Sequence, residues 1–145
     1  MQHPPRNPAE PILTSADFKR IAFESAILSA GALGAYGYGL VRYGMGARAN
    51  TLAFTSLTVG QLLHTLSCRS HTHSLFSTPP LPANPYLTFA VSGSLALQLL
   101  AFVIPGLRRL LGLTPLTLLD SALVGASAIL PLVVNESTKR HWQRQ

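Results

Sequence analysis

A stripe of polar side chains runs along residues 50–70, NTLAFTSLTVGQLLHTLSCRS, which are otherwise apolar. On an α-helix with about 100° per residue, the stripe falls within an arc of roughly 120°. Its members are Thr51, Thr55, Thr58, Gln61 and Thr65. A lipid bilayer offers no hydrogen-bond partners to hydroxyls or amides. The stripe is therefore expected to face other helices or a water-filled path.

Within this stretch, Gln61 and His64 are one turn apart and are the most deeply placed side chains that could contact an ion. An amide oxygen is a hard ligand that suits cations without adding charge to the bilayer. The same side chains could instead form hydrogen bonds between helices, which contribute about 1–2 kcal/mol in membranes. Both interpretations stay open at this level, and the ion-path candidates are Gln61, Thr58 and His64.

A second group of potential ligands follows directly, Cys68-x-x-His71-x-His73, with His64 one helical turn before Cys68. Sulfur and imidazole ligands at close spacing bind zinc or copper. His71 and His73, however, lie among Ser and Thr residues in a predicted loop, and the sequence has no matching second half of a zinc motif. The pattern is therefore more typical of a solvent-exposed loop, and no firm metal site is predicted.

The composition indicates a membrane protein. Of the 145 residues, 48% are hydrophobic and only 11% are charged, which is less than half of the roughly 25% usual in soluble domains. The single cysteine excludes an internal disulfide. The net charge of +6 would suit nucleic acid, but the cations are scattered and lack interleaved aromatic residues. Membrane lipid is therefore the expected partner, and nucleic acid is not.

Four apolar runs are long enough to cross a bilayer at about 1.5 Å per helical residue; they cover residues 21–41, 50–67, 86–104 and 115–135. Before them, residues 1–20 form a proline-rich strap in which a helix begins near Thr14 or Ser15. After them comes a basic tail. The sequence thus predicts an all-α membrane protein with four transmembrane helices, forming one domain over residues 21–145.

Four spans place both termini on the same side of the membrane. Seven of the Lys and Arg residues lie on that side and four on the other. Because positive residues are enriched on the cytoplasmic side, both termini are predicted to be cytoplasmic. The expected location is a multi-pass integral membrane protein, in the plasma or inner membrane if the source is bacterial.

Small residues recur every four positions along the first run, at Gly31, Ala35 and Gly39. In lipid, such a seam lets two helix backbones approach closely, so close packing against a partner helix is predicted. Glu24 is expected at headgroup level near Lys19 and Arg20.

The fourth run is expected to begin at Pro115, because a proline at the first helical position loses no hydrogen bond. Asp120 then lies about one turn inside, near the non-cytoplasmic edge. The chain contains no G-x-x-x-x-G-K-[ST] loop and no G-x-G-x-x-G turn. Nucleotide hydrolysis by this polypeptide alone is therefore not predicted, and no cofactor is assigned to it.

Two ordered patterns resemble the C-terminal transmembrane domain of cation-transporting P-type ATPases, the calcium-pump group. Residues 1–12, MQHPPRNPAEPI, are similar to the family's M-x-x-P-P-R-x-P-x-E-P-[IL] strap after the sixth transmembrane helix. Residues 49–70 are similar to its eighth helix, A-x-T-x-A-F-T-x-L-x-x-x-Q-L-x-x-x-x-x-x-R-S. The resemblance implies that the four spans are helices seven to ten of a ten-helix pump.

The resemblance also implies roles for individual residues. Gln61 aligns with a glutamate that reaches a cation site in the sarco/endoplasmic reticulum type of calcium pump, and His64 with an inner-facing polar position. The Gly31 seam would pack against the fifth helix, which this chain does not encode, so the seam is expected to meet nothing of its own chain. ATP and Mg²⁺ would belong to the complete pump, because the phosphorylation and actuator motifs are absent from this sequence.

The sequence therefore predicts a structural, non-enzymatic C-terminal part of a P-type ATPase, which supports cation-binding helices supplied by another chain. A truncated or split gene product would have this form. The alternative is an independent small membrane protein, acting as a regulatory subunit or as a small exporter that uses Glu24. The strap favours the first hypothesis, since a standalone exporter has no use for an interhelical linker.

Overall fold

The computed structural model describes residues 13–68 and 84–142. Within these ranges the chain forms α-helices and no β-strand, which confirms the all-α prediction; the helices are α1 (Ser15–Tyr43), α2 (Ala47–Ser67), α3 (Pro85–Val103), α4 (Pro105–Leu110) and α5 (Leu118–Trp142). Residues 1–12 of the predicted strap lie outside the described residues, as do His71 and His73.

Helix α2 is at the centre of the arrangement. It packs against α1, α3 and α5, and α1 also contacts α5. One residue from each of the three central helices, Ala35, Leu52 and Val124, forms the buried apolar cluster between them. Helices α1, α2 and α5 therefore form a three-helix core, and α3 lies on an outer side of α2.

Small side chains fill the interior of the bundle and large apolar side chains cover its outside. The buried apolar residues are mostly alanines, namely Ala32, Ala35, Ala49, Ala101 and Ala128. By contrast, Phe89 is 80% exposed and Leu118 is 89% exposed. A soluble protein buries its large apolar residues, whereas helices in lipid associate through small residues that allow close approach. The distribution of side chains is therefore consistent with a membrane location.

Two helical segments are long and apolar enough to cross a membrane by length and composition, Pro85–Val103 and Leu118–Thr138. Helices α1 and α2 are at least as long as α3 but carry more polar and charged residues. Among the described residues, α3 and α5 are thus the helices whose hydropathy is high enough for a membrane span.

The first helix begins where the sequence indicates. Thr14 is the N-cap of α1, and its hydroxyl accepts a hydrogen bond from the backbone N–H of Asp17 at 3.2 Å. The Asp17 carboxylate in return accepts from the Thr14 backbone N–H at 2.9 Å. This reciprocal capping box satisfies two amide groups that a helix start would otherwise leave unpaired.

The fourth long helix does not begin at Pro115, so that prediction is wrong. Residues 113–117 are non-helical and α5 begins at Leu118. Thr117 and Asp120 exchange hydrogen bonds in the pattern of a capping box, with distances of 3.2 and 3.0 Å. The capping box gives hydrogen-bond acceptors to the backbone N–H groups of Thr117 and Asp120. A helix start at Pro115 would gain no such bonds, because a proline at the first position only lacks an N–H group that would be unpaired there.

The small-residue seam of α1 has partners within the chain, contrary to the expectation that it would meet nothing of its own. A Cβ atom added at Gly39 would lie 2.7 Å from the Cα of Ala49 in α2. One added at Gly31 would lie 2.8 Å from the carbonyl oxygen of Ser127 in α5. Ala35, between them, is 2% exposed. The seam is therefore used to bring α1 against both other core helices.

Candidate functional site

One face of α2 is left uncovered by the described helices. Its exposed residues recur at helical spacing and form what we call the open face, Asn50, Phe54, Leu57, Gln61 and Thr65. Gln61 lies near its middle. The opposite side of α2 is buried against α1 and α5. The open face combines polar with large apolar side chains, a mixture that suits contact with other helices better than contact with lipid alone.

The threonine hydroxyls of the polar stripe are satisfied within α2 itself. Each donates to the backbone carbonyl four residues earlier, at 2.7–2.9 Å; the donors are Thr51, Thr55, Thr58 and Thr65. Thr51 and Thr55 are buried, whereas Thr65 is exposed. Because such back-bonding removes the need for an outside partner, the threonines alone do not require a water-filled path. The open face also carries the side-chain amides of Asn50 and Gln61, of which Gln61 lies near its middle.

His64 turns away from the open face toward α1. Its Nε2 atom lies 3.4 Å from Glu24 Oε2 and 3.4 Å from the sulfur of Cys68. The second carboxylate oxygen of Glu24 accepts a hydrogen bond from Nε of Arg20 at 2.8 Å. Glu24 is 8% exposed, so it is buried within the bundle, and it pairs with Arg20 as expected. The structure thus joins Glu24 and His64, which the sequence analysis had treated separately.

A second buried polar group connects the end of α2 to α5. Ser67 donates a hydrogen bond to the carboxylate of Glu136, and Nδ2 of Asn135 donates to the Ser67 hydroxyl at 2.9 Å. All three residues are at most 5% exposed. No local pattern in the sequence predicts this group, because Ser67 lies almost seventy positions from Asn135 and Glu136.

At the opposite end of the bundle, Asp120 is fully buried. Its two carboxylate oxygens lie 2.9 and 3.1 Å from the hydroxyl of Tyr43, which donates the hydrogen bond from the end of α1. The guanidinium of Arg48 stacks on the Tyr43 ring, 4.5 Å from its centroid. Asp120 therefore joins α5 to α1 and is not simply a residue at the membrane edge.

A cavity of about 620 Å³ lies between α2, α3 and α5. Its walls are mainly apolar, with Gln98 and Arg108 among the polar exceptions. The side-chain nitrogen of Gln98 is buried and has no hydrogen-bond partner. A buried amide without an acceptor is unfavourable, so Gln98 is a polar side chain of this cavity that the described residues leave unsatisfied.

The three ion-path candidates do not form one site among the described residues. Gln61 is exposed on the open face, Thr58 is half-buried beside it and bonded to its own helix, and His64 belongs to the group around Glu24. The assignment of these residues to an ion path stays a prediction.

The family of the chain is apparent from comparison with known proteins. Residues 1–141 match the family described as "Cation transporting ATPase, C-terminus", and the chain belongs to this family. The match covers the strap and every described helix except Trp142, the last residue of α5.

The relatives are calcium-transporting ATPases. The chain is 40% identical over 91 residues, 63% of its length, to calcium-transporting ATPase 1 of Bacillus cereus. It is 32% identical over 120 residues, 83% of its length, to calcium-transporting ATPase type 2C member 1 of Homo sapiens. These alignments cover 10% and 13% of the relatives, so the chain spans about a tenth of their length.

Proposed function

We propose that this chain is the C-terminal membrane part of a calcium-transporting ATPase and supports cation-binding helices that lie elsewhere in the pump. The observation that carries the proposal is the open face of α2. An exposed amide such as Gln61 is unfavourable against lipid, and no described helix of this chain covers it. The remaining helices of a pump are partners of the required kind.

The charge distribution supports a four-span topology for this part. The residues between Glu24 and Arg42 of α1 are all uncharged, and so are those between Arg48 and Arg69, apart from His64 if it is protonated. With 29 and 21 residues, α1 and α2 extend about 43 and 31 Å, which is enough for a hydrocarbon core of about 30 Å. Together with α3 and α5, they give four spans with both termini in the cytoplasm.

Within this function Gln61 is the residue that contacts the ion path, with Thr58 one turn away. The amide oxygen offers a neutral ligand, and its position on the open face directs it toward helices outside this chain. The chain holds the ion from one side only. It hydrolyses no ATP by itself, because nucleotide binding and phosphorylation belong to other parts of the pump.

A chimera tests the supporting role. The segment of the Bacillus cereus relative that aligns with this chain is replaced by this chain, and ATP-dependent calcium uptake is measured in inverted membrane vesicles. We expect uptake well above that of the same relative truncated before the segment, because the three-helix core is complete. A chimera that inserts into the membrane at normal levels but accumulates no calcium would favour an independent small membrane protein.

In the same chimera, Gln61→Leu is expected to raise the calcium concentration for half-maximal uptake by about fivefold. This corresponds to losing one oxygen contact worth about 1 kcal/mol. Gln98→Leu is the matched control, since it removes the same amide from α3, away from the open face, and should leave this concentration unchanged. Equal behaviour of the two variants would remove Gln61 from the ion path while leaving the supporting role intact.

A further inference from the structure

Three side chains of types that bind metals meet near the start of α1 and the end of α2. They are a carboxylate, an imidazole and a thiol, from Glu24, His64 and Cys68, and their potential ligand atoms all lie within 4.8 Å of one another. Glu24 is contributed by α1, whereas His64 and Cys68 are four residues apart at the end of α2. Only tertiary packing brings the carboxylate to the other two.

The separations fit a tetrahedral zinc ion. Zinc–nitrogen and zinc–oxygen bonds of about 2.1 Å and a zinc–sulfur bond of about 2.3 Å place neighbouring ligand atoms about 3.4–3.6 Å apart. Glu24 Oε2 and Cys68 Sγ each lie 3.4 Å from His64 Nε2. The remaining oxygen and sulfur atoms lie within 4.8 Å of each other, and Cys68 is exposed just beyond the end of α2.

The surroundings also favour a cation at this position. Arg20 holds the other oxygen of Glu24 at 2.8 Å, so it orients the carboxylate and leaves Oε2 directed at His64. One thiolate and one carboxylate offset the charge of Zn²⁺, which matters in a partly buried place, and the guanidinium of Arg20 is the remaining positive charge beside them. The last turn of a helix carries partial negative charge; His64 lies in the last turn of α2, and Cys68 follows it as the C-cap.

We propose that Glu24, His64 and Cys68 bind one Zn²⁺ ion, with water in the fourth position. Binding releases the thiol proton of Cys68, because the thiolate is the ligand. The ion ties the end of α2 to α1 and is separate from the ion path of the open face. This site differs from the loop cluster that the sequence suggests, since its third ligand is Glu24 in place of His71 and His73.

Cobalt is the probe for the test, because Co²⁺ in zinc sites gives a thiolate charge-transfer band and strong visible bands when it is tetrahedral. The purified full chain in detergent micelles is titrated with Co²⁺ and then with Zn²⁺. We expect both band systems to appear and Zn²⁺ to abolish them. Cys68→Ser should remove the charge-transfer band, and the assignment is unambiguous because the chain has one cysteine.

The other two ligands are tested with His64→Gln and Glu24→Gln, each expected to weaken Co²⁺ binding at least about tenfold. The control is the double variant His71→Gln/His73→Gln, which removes more imidazole than His64→Gln and should retain the affinity. Circular dichroism of each variant checks that the helices persist. Unchanged affinity in both His64→Gln and Glu24→Gln, or a wild-type titration without a thiolate band, would overturn the proposal.

Discussion

Replacing Gly39 with alanine is expected to destabilise the bundle by about 2 kcal/mol. The added Cβ would lie 2.7 Å from the Cα and 3.0 Å from the Cβ of Ala49, and 3.0 Å from a methyl of Leu52. The nearest of these atoms is backbone, so α1 and α2 must separate, and overpacking of this kind costs about 1–3 kcal/mol. The measurement is the free energy of unfolding of the purified chain in mixed detergent micelles.

The same substitution at Gly34 is the control, because Gly34 is exposed in the same helix and a Cβ there meets nothing within 4 Å. Away from contacts, glycine to alanine stabilises a helix by up to about 1 kcal/mol. The two variants are therefore expected to differ in sign. If Gly39→Ala were as stable as Gly34→Ala, the close α1–α2 packing described above would be wrong.

Replacing Asp120 with alanine is expected to lower the free energy of unfolding by about 3 kcal/mol. The change removes the acceptor of the Tyr43 hydroxyl and half of the capping box at the start of α5. Each hydrogen bond to a carboxylate contributes about 1.5 kcal/mol or more, and a buried donor left without an acceptor adds a penalty. Unfolding in mixed micelles again provides the measurement.

Two further variants divide this loss between its sources. Thr117→Ala removes only the hydroxyl that caps the Asp120 backbone N–H and should cost about 1 kcal/mol. Tyr43→Phe removes the hydroxyl that donates to Asp120 across α1 and α5 and accepts from Nε of the exposed Arg42. In a double-mutant cycle, Tyr43→Phe and Asp120→Ala should show a coupling energy of about 1–3 kcal/mol. A coupling energy near zero would mean that the buried hydrogen bond does not hold α1 to α5.

Zinc and calcium would act at different places in this chain. The proposed zinc ligands are directed between α1 and α2, whereas Gln61 is exposed on the open face. Because the His64 side chain contacts Glu24 of α1 whereas Gln61 is exposed, substitutions at one should not imitate substitutions at the other. The cobalt titration and the calcium-uptake experiment therefore test independent properties.

The sequence predicted the features of this protein that depend on neighbouring residues. The capping box of Thr14 and Asp17 follows from residue types three positions apart. Low charge and long apolar runs indicated an all-helical membrane protein, and the patterns in residues 1–12 and 49–70 identified the family that the comparison confirms. One local prediction was wrong: α5 does not begin at Pro115. The capping box of Thr117 and Asp120 sets its start at Leu118 instead.

Only the tertiary structure decided which sides of the helices meet. In lipid the outward faces are as apolar as the inward ones, so hydrophobic periodicity does not show which way a helix is turned. For this reason the sequence could not divide the polar stripe into buried Thr51 and Thr55 and exposed Gln61. Nor could it pair Glu24 with His64, since forty residues separate them and packing of α1 on α2 alone brings them to 3.4 Å.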